Sequence, residues 1–149
     1  MRYLKHIRPF MRRVSKLAIK TCDIVAFRKA AHRVSAFYDA QLAPCGLCIS
    51  EFATLVRLSR EKRVTLEALF ESSTLEKRAV NRNLRRLTEA GLIQIAESPS
   101  GHRGIVTLTR GGVAALKKAV PLWQVAQSRF EALNGSLLRE TLNGLVLEG

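Results

Sequence analysis

Acidic side chains are scarce in this chain: 12 Asp and Glu stand against 25 Lys and Arg in 149 residues, a formal charge of +13. A field of that sign and size attracts polyanions, either nucleic acid or an anionic membrane surface. Long apolar runs are also missing. No stretch of 18 or more apolar residues occurs, which excludes a spanning helix, and no apolar stretch before a small-residue cleavage site marks a secretory signal. A cytoplasmic location without a membrane partner is therefore expected. Cysteine is limited to Cys22, Cys45 and Cys48, an odd number that does not suit a disulfide framework. Histidine is limited to His6, His32 and His102, and no Ser/His/Asp or paired-carboxylate arrangement accompanies them. The chain reads as a non-enzyme without a cofactor. Its length suits one compact fold and is too short for two well-cored domains.

The positive charge is unevenly placed. Residues 1–20 hold Arg2, Lys5, Arg8, Arg12, Arg13, Lys16 and Lys20 and no acid, which leaves +6 of the +13 for the remainder. This basic N-terminal arm reads as a solvated tail, with phosphate contact as the functional alternative; its Arg-rich, acid-free character also has the look of an organellar transit peptide.

From Thr21 the apolar spacing becomes helical. Phe27, Ala30, Ala31, Val34, Phe37 and Tyr38 recur at three and four residues, predicting a helix over about 22–42. Pro44 and Gly46 break the chain, and Phe52, Leu55, Val56 and Leu58 place a second helix at about 50–60. Residues 63–65 are β-tolerant, and Leu66 to Glu71 form a brief helix. Ser73 to Glu76, STLE, fits the S-x-x-E capping box, so a helix is expected from there to about Ala90, closed by Gly91. Beyond Gly91 the period drops to two: Leu92, Ile93 and Ile95, then Ile105, Val106 and Leu108, flank a Gly/Ser/Pro loop and predict a β-hairpin. A final long helix starts at Arg110, with Leu116, Trp123, Phe130 and Leu137 at seven-residue spacing, as a helix packed along a partner helix requires. Pro121 inside it predicts a bend, and Gly135 separates a short terminal helix.

The fold class that follows is mainly α with a small β-hairpin wing: a winged helix-turn-helix at about 44–109 within one domain, 21–149. The long helices at about 22–42 and 110–148 have apolar faces that a two-fold homodimer would bury.

The capped helix that runs to about Ala90 divides its side chains. Val80, Leu84 and Leu87 lie on one side, and Arg78, Asn81, Arg82 and Arg85 on the other, with Lys77 at the start. Guanidinium and carboxamide groups match guanine and adenine edges in the major groove, and His102 and Arg103 sit at the hairpin tip, where they would reach an adjacent groove. A charged run is by itself only a solvated face; its position directly before a hairpin makes double-stranded DNA the expected partner.

The C-x-x-C of PCGLC raises redox or zinc chemistry. A thioredoxin-type pair follows a strand, whereas this one follows a helix and a Pro-containing turn, and no second Cys/His pair has zinc spacing, so no metal is expected.

Four segments carry a resemblance to a known family. Ala36 to Leu47 (AFYDAQLAPCGL), Asn81 to Leu92 (NRNLRRLTEAGL), Val106 to Thr109 (VTLT) and Val120 to Gln127 (VPLWQVAQ) together resemble the MarR family of dimeric winged-helix regulators from about Cys22 onward. The resemblance implies a homodimeric transcription factor, more often a repressor, bound to a palindromic operator and released by a small aromatic ligand or by thiol oxidation. Three departures stand out. Ser73-Thr74-Leu75 replaces the family's Leu-Gly-Leu turn. Ser100 and His102 occupy the places of the wing's Asp and Arg, which leaves Arg103 displaced by one position. The basic arm is longer than the shared pattern needs. Cys48 falls where the family often has a capping Thr, with Glu51 as capping partner and Ser50 sharing the work; Cys22 lies where peroxide-sensing relatives place a reactive thiol. Cys22 and Cys48 are thus the redox candidates, and His32, Tyr38 and Trp123 the effector candidates, although each also reads as plain packing. The alternative function is a protein-binding or membrane-surface adaptor that uses the winged helix without DNA readout.

Overall fold

The computed structural model describes residues 23–73, 75–96, 104–135 and 137–144. Its elements are α1 (Asp23–Leu42), a 3-10 turn (Ala43–Cys45), α2 (Ile49–Glu61), β1 (Arg63–Thr65), α3 (Leu66–Glu71), α4 (Lys77–Glu89), β2 (Ile93–Ala96), β3 (Ile105–Leu108), α5 (Arg110–Asn134) and α6 (Leu137–Asn143). The chain forms two compact units, 1–36 and 37–149. In the first, the described part of α1 exposes nearly all its side chains, Ile24 and Phe27 among them. Among the described residues no single helix is long and apolar enough to cross a membrane.

In the second unit the core is aliphatic. Leu42, Leu55, Leu58 and Val106 are wholly buried, and Leu87 and Ile93 nearly so, joined by Leu47, Phe52, Val64, Leu69, Val80, Leu84 and Ala119. Those positions are the inward stripe of each helix and the inward face of each strand, so burying them fixes how α2, α4, α5 and the sheet meet. The sheet is antiparallel in the order β1-β3-β2, with Val106 opposite both Val64 and Ile95. The β-tolerant triplet 63–65 is thus a third strand of the wing.

Polar groups finish the element ends. Cys48 is the N-cap of α2, and its N–H donates to Glu51 Oε2 at 3.0 Å. Asp39 of α1 reaches across the turn to accept the Ile49 N–H at 2.7 Å. Gly46 takes the left-handed φ of +73° that reverses the chain, and Gly91 does the same at +68° after α4. Thr109 caps α5: its hydroxyl accepts from Gly112 N at 3.0 Å and donates to Gly91 O at 2.7 Å, while its own N–H donates to Leu92 O at 3.1 Å. The end of α4 and the start of α5 are thereby fixed to one junction at the base of the wing. Helix α5 is continuous through Pro121. Phe130 of α5 packs against Phe37 and Tyr38 at centroid separations of 6.1 and 5.8 Å, and the Tyr38 hydroxyl donates to Gln127 Oε1 at 2.8 Å.

One expected cap is not made. Ser73 does not cap α4: its hydroxyl accepts the N–H of Leu75 at 3.0 Å, an i to i+2 turn, and the helix begins only at Lys77 with Glu76 as N-cap and no side-chain cap bond. A serine hydroxyl closes such a local turn as readily as it caps a helix three residues on, and the chain takes the shorter loop.

Candidate nucleic-acid interface

Helix α4 is built to hold one face in the core and offer the other. Val80, Leu84 and Leu87 are buried, and Lys77, Arg78, Asn81, Arg82 and Arg85 are exposed. With residues about 100° apart around the axis, positions 78, 81, 82 and 85 centre on the side opposite 80, 84 and 87. The apolar stripe docks on α2, α3 and β2, so the three arginines and the carboxamide project together into solvent. Four of these expected DNA contacts lie on one accessible face, with Lys77 exposed at the helix start; His102 and Arg103 lie outside the described residues.

The electrostatics of the helix favour an anion. No acid occupies its first turn, where Lys77 and Arg78 stand instead. Cations there oppose the positive end of the helix dipole, and the N-cap carboxylate of Glu76 offsets them only in part, so phosphate beside Lys77 and Arg78 would be stabilised by the excess positive charge. At the other end Arg85 Nε contacts Glu89 Oε1 at 2.7 Å, a pair exposed on both sides, and that carboxylate raises the Arg85 pKa above its ordinary value through the hydrogen bond first and charge second. The guanidinium is charged at every working pH, and the pair sets it beside Glu89, one turn along the helix.

Two α4 side chains face inward or sideways and escape a reading by charge alone. Asn83, 9% exposed, donates from Nδ2 to Ser50 Oγ at 2.8 Å. Arg86 Nε lies 3.1 Å from Oε1 of Glu51, whose carboxyl is buried; the approach is an ion contact without hydrogen-bond alignment. Ser50 Oγ is also 3.1 Å from Cys48 Sγ. Ser50, expected to help cap α2, instead turns toward α4. Cys45 and Cys48 are both free thiols, and Cys45 Sγ donates to Leu42 O at 2.9 Å. Cys22 lies outside the described residues, and among those described no group of three or more His, Cys, Asp or Glu could hold a metal.

The three effector candidates are dispersed. His32 is exposed on the N-terminal part of α1, Tyr38 is buried against α5, and Trp123 stacks on Phe52 at 5.9 Å. Burial, and to a lesser extent Glu131, raises the Tyr38 pKa above that of an ordinary tyrosine. Trp123 lines an open groove of about 650 Å³ with Ile49, Phe52, Val56, Arg57 and Arg60.

No family model matches the chain. HTH-type transcriptional repressors of Mycobacterium tuberculosis and Mycobacterium bovis are each 33% identical over 95 residues, spanning 63% of this chain and 68% of theirs. Among solved structures, the M. tuberculosis transcriptional regulator MosR is 32% identical, covers 85% of this chain and 92% of its own, and superposes with a TM-score of 0.73; MosR in complex with DNA matches at 31%, 82% and 92%, with a TM-score of 0.72. A MarR-family regulator of Rhodococcus sp. RHA1, at 17% identity, 81% and 88% coverage and a TM-score of 0.68, shares the fold. With the wing, the two-faced helix and these relatives in agreement, the chain belongs to the MarR family and is a DNA-binding, winged helix-turn-helix transcriptional regulator.

Proposed function

We propose that the protein represses transcription as a homodimer seated on a palindromic operator, with Arg78, Asn81, Arg82 and Arg85 of α4 in the major groove and Lys77 on a phosphate. The observation that supports this most is the segregation of α4: an aliphatic face in the core, and three guanidiniums and a carboxamide facing out. His102 and Arg103, which fall in the sequence between β2 and β3, would extend the contact to the flanking backbone or minor groove. The repressor names of the mycobacterial relatives support the direction of regulation. A dimer is supported by exposed apolar side chains on the terminal helices, Ile24 and Phe27 of α1, Val125 and Leu133 of α5 and Leu142 of α6, which water-facing helices do not ordinarily carry in such number. Two-fold symmetry then sets half-sites about one helical turn, roughly 34 Å, apart.

Two routes of release fit the structure. A small aromatic effector suits the groove beside Trp123, where Phe52 offers a second ring and Arg60 a charge. Oxidation of Cys48 would act through its contact with Ser50 at 3.1 Å, and Cys22 remains the second thiol candidate. The experiment for the DNA reading is operator binding by an Arg82→Ala, Arg85→Ala double variant of confirmed fold. A loss of about 1–3 kcal/mol for each base-contacting arginine is expected, and unchanged operator affinity would overturn the assignment of α4.

A further inference from the structure

Asn83 is a buried carboxamide on a helix face that is otherwise aliphatic. It lies at the edge of the stripe formed by Val80, Leu84 and Leu87 and is buried almost as fully as Val80. A buried amide is costly unless it is bonded, and an apolar side chain of similar size would serve burial at least as well. Its presence calls for a directional role. Nδ2 donates to Ser50 Oγ at 2.8 Å, and one helical turn further on, Arg86 reaches Glu51 at 3.1 Å. Ser50 and Glu51 are successive residues in the first turn of α2, so two points spaced i and i+3 on α4 are fixed to adjacent points on one helix end.

Such a two-point attachment sets a quantity that aliphatic packing leaves loose. Hydrophobic contact is non-directional and tolerates a small rotation of a helix about its axis, whereas a hydrogen bond weakens steeply off its line. Rotation by ~20° carries a group ~6 Å from the axis through ~2 Å, enough to misalign a bidentate guanidinium at a base edge. On the wheel Arg78, Asn81 and Arg85 lie about 140–160° from Asn83 and Arg82 about 100°, and all four turn with the helix, so the angle held at 83 sets the angle at which they enter the groove.

We propose that Asn83, through its hydrogen bond to Ser50, is a positioning residue for DNA recognition that fixes the rotation of α4 and so sets the protein's discrimination between its operator and other DNA. This rests on α4 being the recognition helix. The Glu51–Arg86 contact is the second strut of the same attachment. Cationic side chains remain in number and place when the bond is lost, so attraction to DNA of any sequence stays and only the alignment of base contacts goes.

The test compares two duplexes of equal length, one recovered from genomic DNA by selection with the intact protein and one of random sequence, titrated by fluorescence anisotropy at several salt concentrations. The variants are Ser50→Ala, Asn83→Leu, their double, and Ser50→Thr, each first checked for helix content and melting temperature. Ser50→Ala and Asn83→Leu should each lower the ratio of operator to random affinity by about tenfold, leaving random-duplex affinity and the salt slope as in the parent protein. The double variant should lose no more than either single one, and Ser50→Thr, which keeps the hydroxyl, should retain the ratio. Discrimination within twofold of the parent in folded Ser50→Ala and Asn83→Leu overturns the proposal, and so does a fall in melting temperature with the ratio unchanged, since Asn83 would then serve stability alone. If Asn83→Leu does not fold, the comparison of Ser50→Ala with Ser50→Thr decides. Failure of the underlying reading looks different: an Arg82→Ala, Arg85→Ala double variant would keep operator affinity, whereas failure of this proposal alone leaves that double variant defective.

Discussion

Gly112 stands two residues into α5 beneath the wing, and replacing it with alanine tests the junction on which the site is mounted. A Cβ at 112 would lie 2.1 Å from Leu92 O and 2.6 Å from Leu108 Cδ1. The leucine tip can swing aside, but the carbonyl belongs to the backbone and accepts the Thr109 N–H at 3.1 Å; restoring an ordinary contact would move it by more than ~1 Å and break that bond. Overpacking of this kind costs about 1–3 kcal/mol or more, the lost hydrogen bond about 1 kcal/mol, and alanine returns about 1 kcal/mol in helix propensity. The net expectation is a loss of about 1–3 kcal/mol or more, which for a chain of this size lowers the melting temperature by roughly 2–12 °C. Thermal and urea unfolding followed by circular dichroism measures it. Gly111→Ala is the internal control: its Cβ would meet Gly91 O at 3.2 Å, tight but workable, and the propensity gain should leave it close to neutral. If Gly112→Ala melts at or above the parent temperature, helix propensity outweighs the close approach and the account of this junction is wrong.

Other perturbations follow the same logic. Lys62, the C-cap of α2, sits at φ +61° and ψ −42°, a region that suits glycine, so Lys62→Gly should stabilise the fold by about 1 kcal/mol in the same unfolding assay. Glu89→Gln releases Arg85 from its exposed ion pair at 2.7 Å and removes a negative charge from the DNA-facing helix; operator affinity should rise in anisotropy titrations, with the salt slope nearly unchanged because the number of cations is the same. Tyr38 holds its proton more tightly folded than unfolded, chiefly through burial and then through Glu131; its share of stability is intact below the ordinary tyrosine pKa and is lost as pH rises through the raised one. Tyr38→Phe should therefore remove that alkaline decline, while lowering stability at neutral pH by about 0.5–1.5 kcal/mol for the bond to Gln127.

The periodic parts of the fold were legible in the amino-acid order because their signal is local. The 3.6 spacing of Val80, Leu84 and Leu87 and the alternation of Ile93 and Ile95 appear as a buried helix face and a strand, and Gly91 closes α4 in the left-handed conformation. The start of α4 misled for a physical reason: Ser73, Thr74, Leu75 and Glu76 satisfy the pattern of a capping box, but a serine that bonds two residues on satisfies the same letters. Asn83 was hidden because a polar letter inside a basic run carries no mark of direction; only the meeting of α4 with the first turn of α2 shows that it points inward. Asp39 was hidden likewise, since its capping target at Ile49 lies ten residues away across a turn. The exposed ring of Arg78, Asn81, Arg82 and Arg85 needed no tertiary information, because amphipathicity alone assigns it to the side opposite the leucines.

The most direct test of the α4 assignment is DNA selection carried out in parallel with the intact protein and with Arg82→Ala, followed by sequencing of the bound fragments. An arginine that reads a base should, when removed, flatten the preference at one position in each half-site and leave the remaining positions and the half-site spacing sharp. Recovery of the same motif with undiminished preference at every position would show that Arg82 does not face the bases, and would contradict the account.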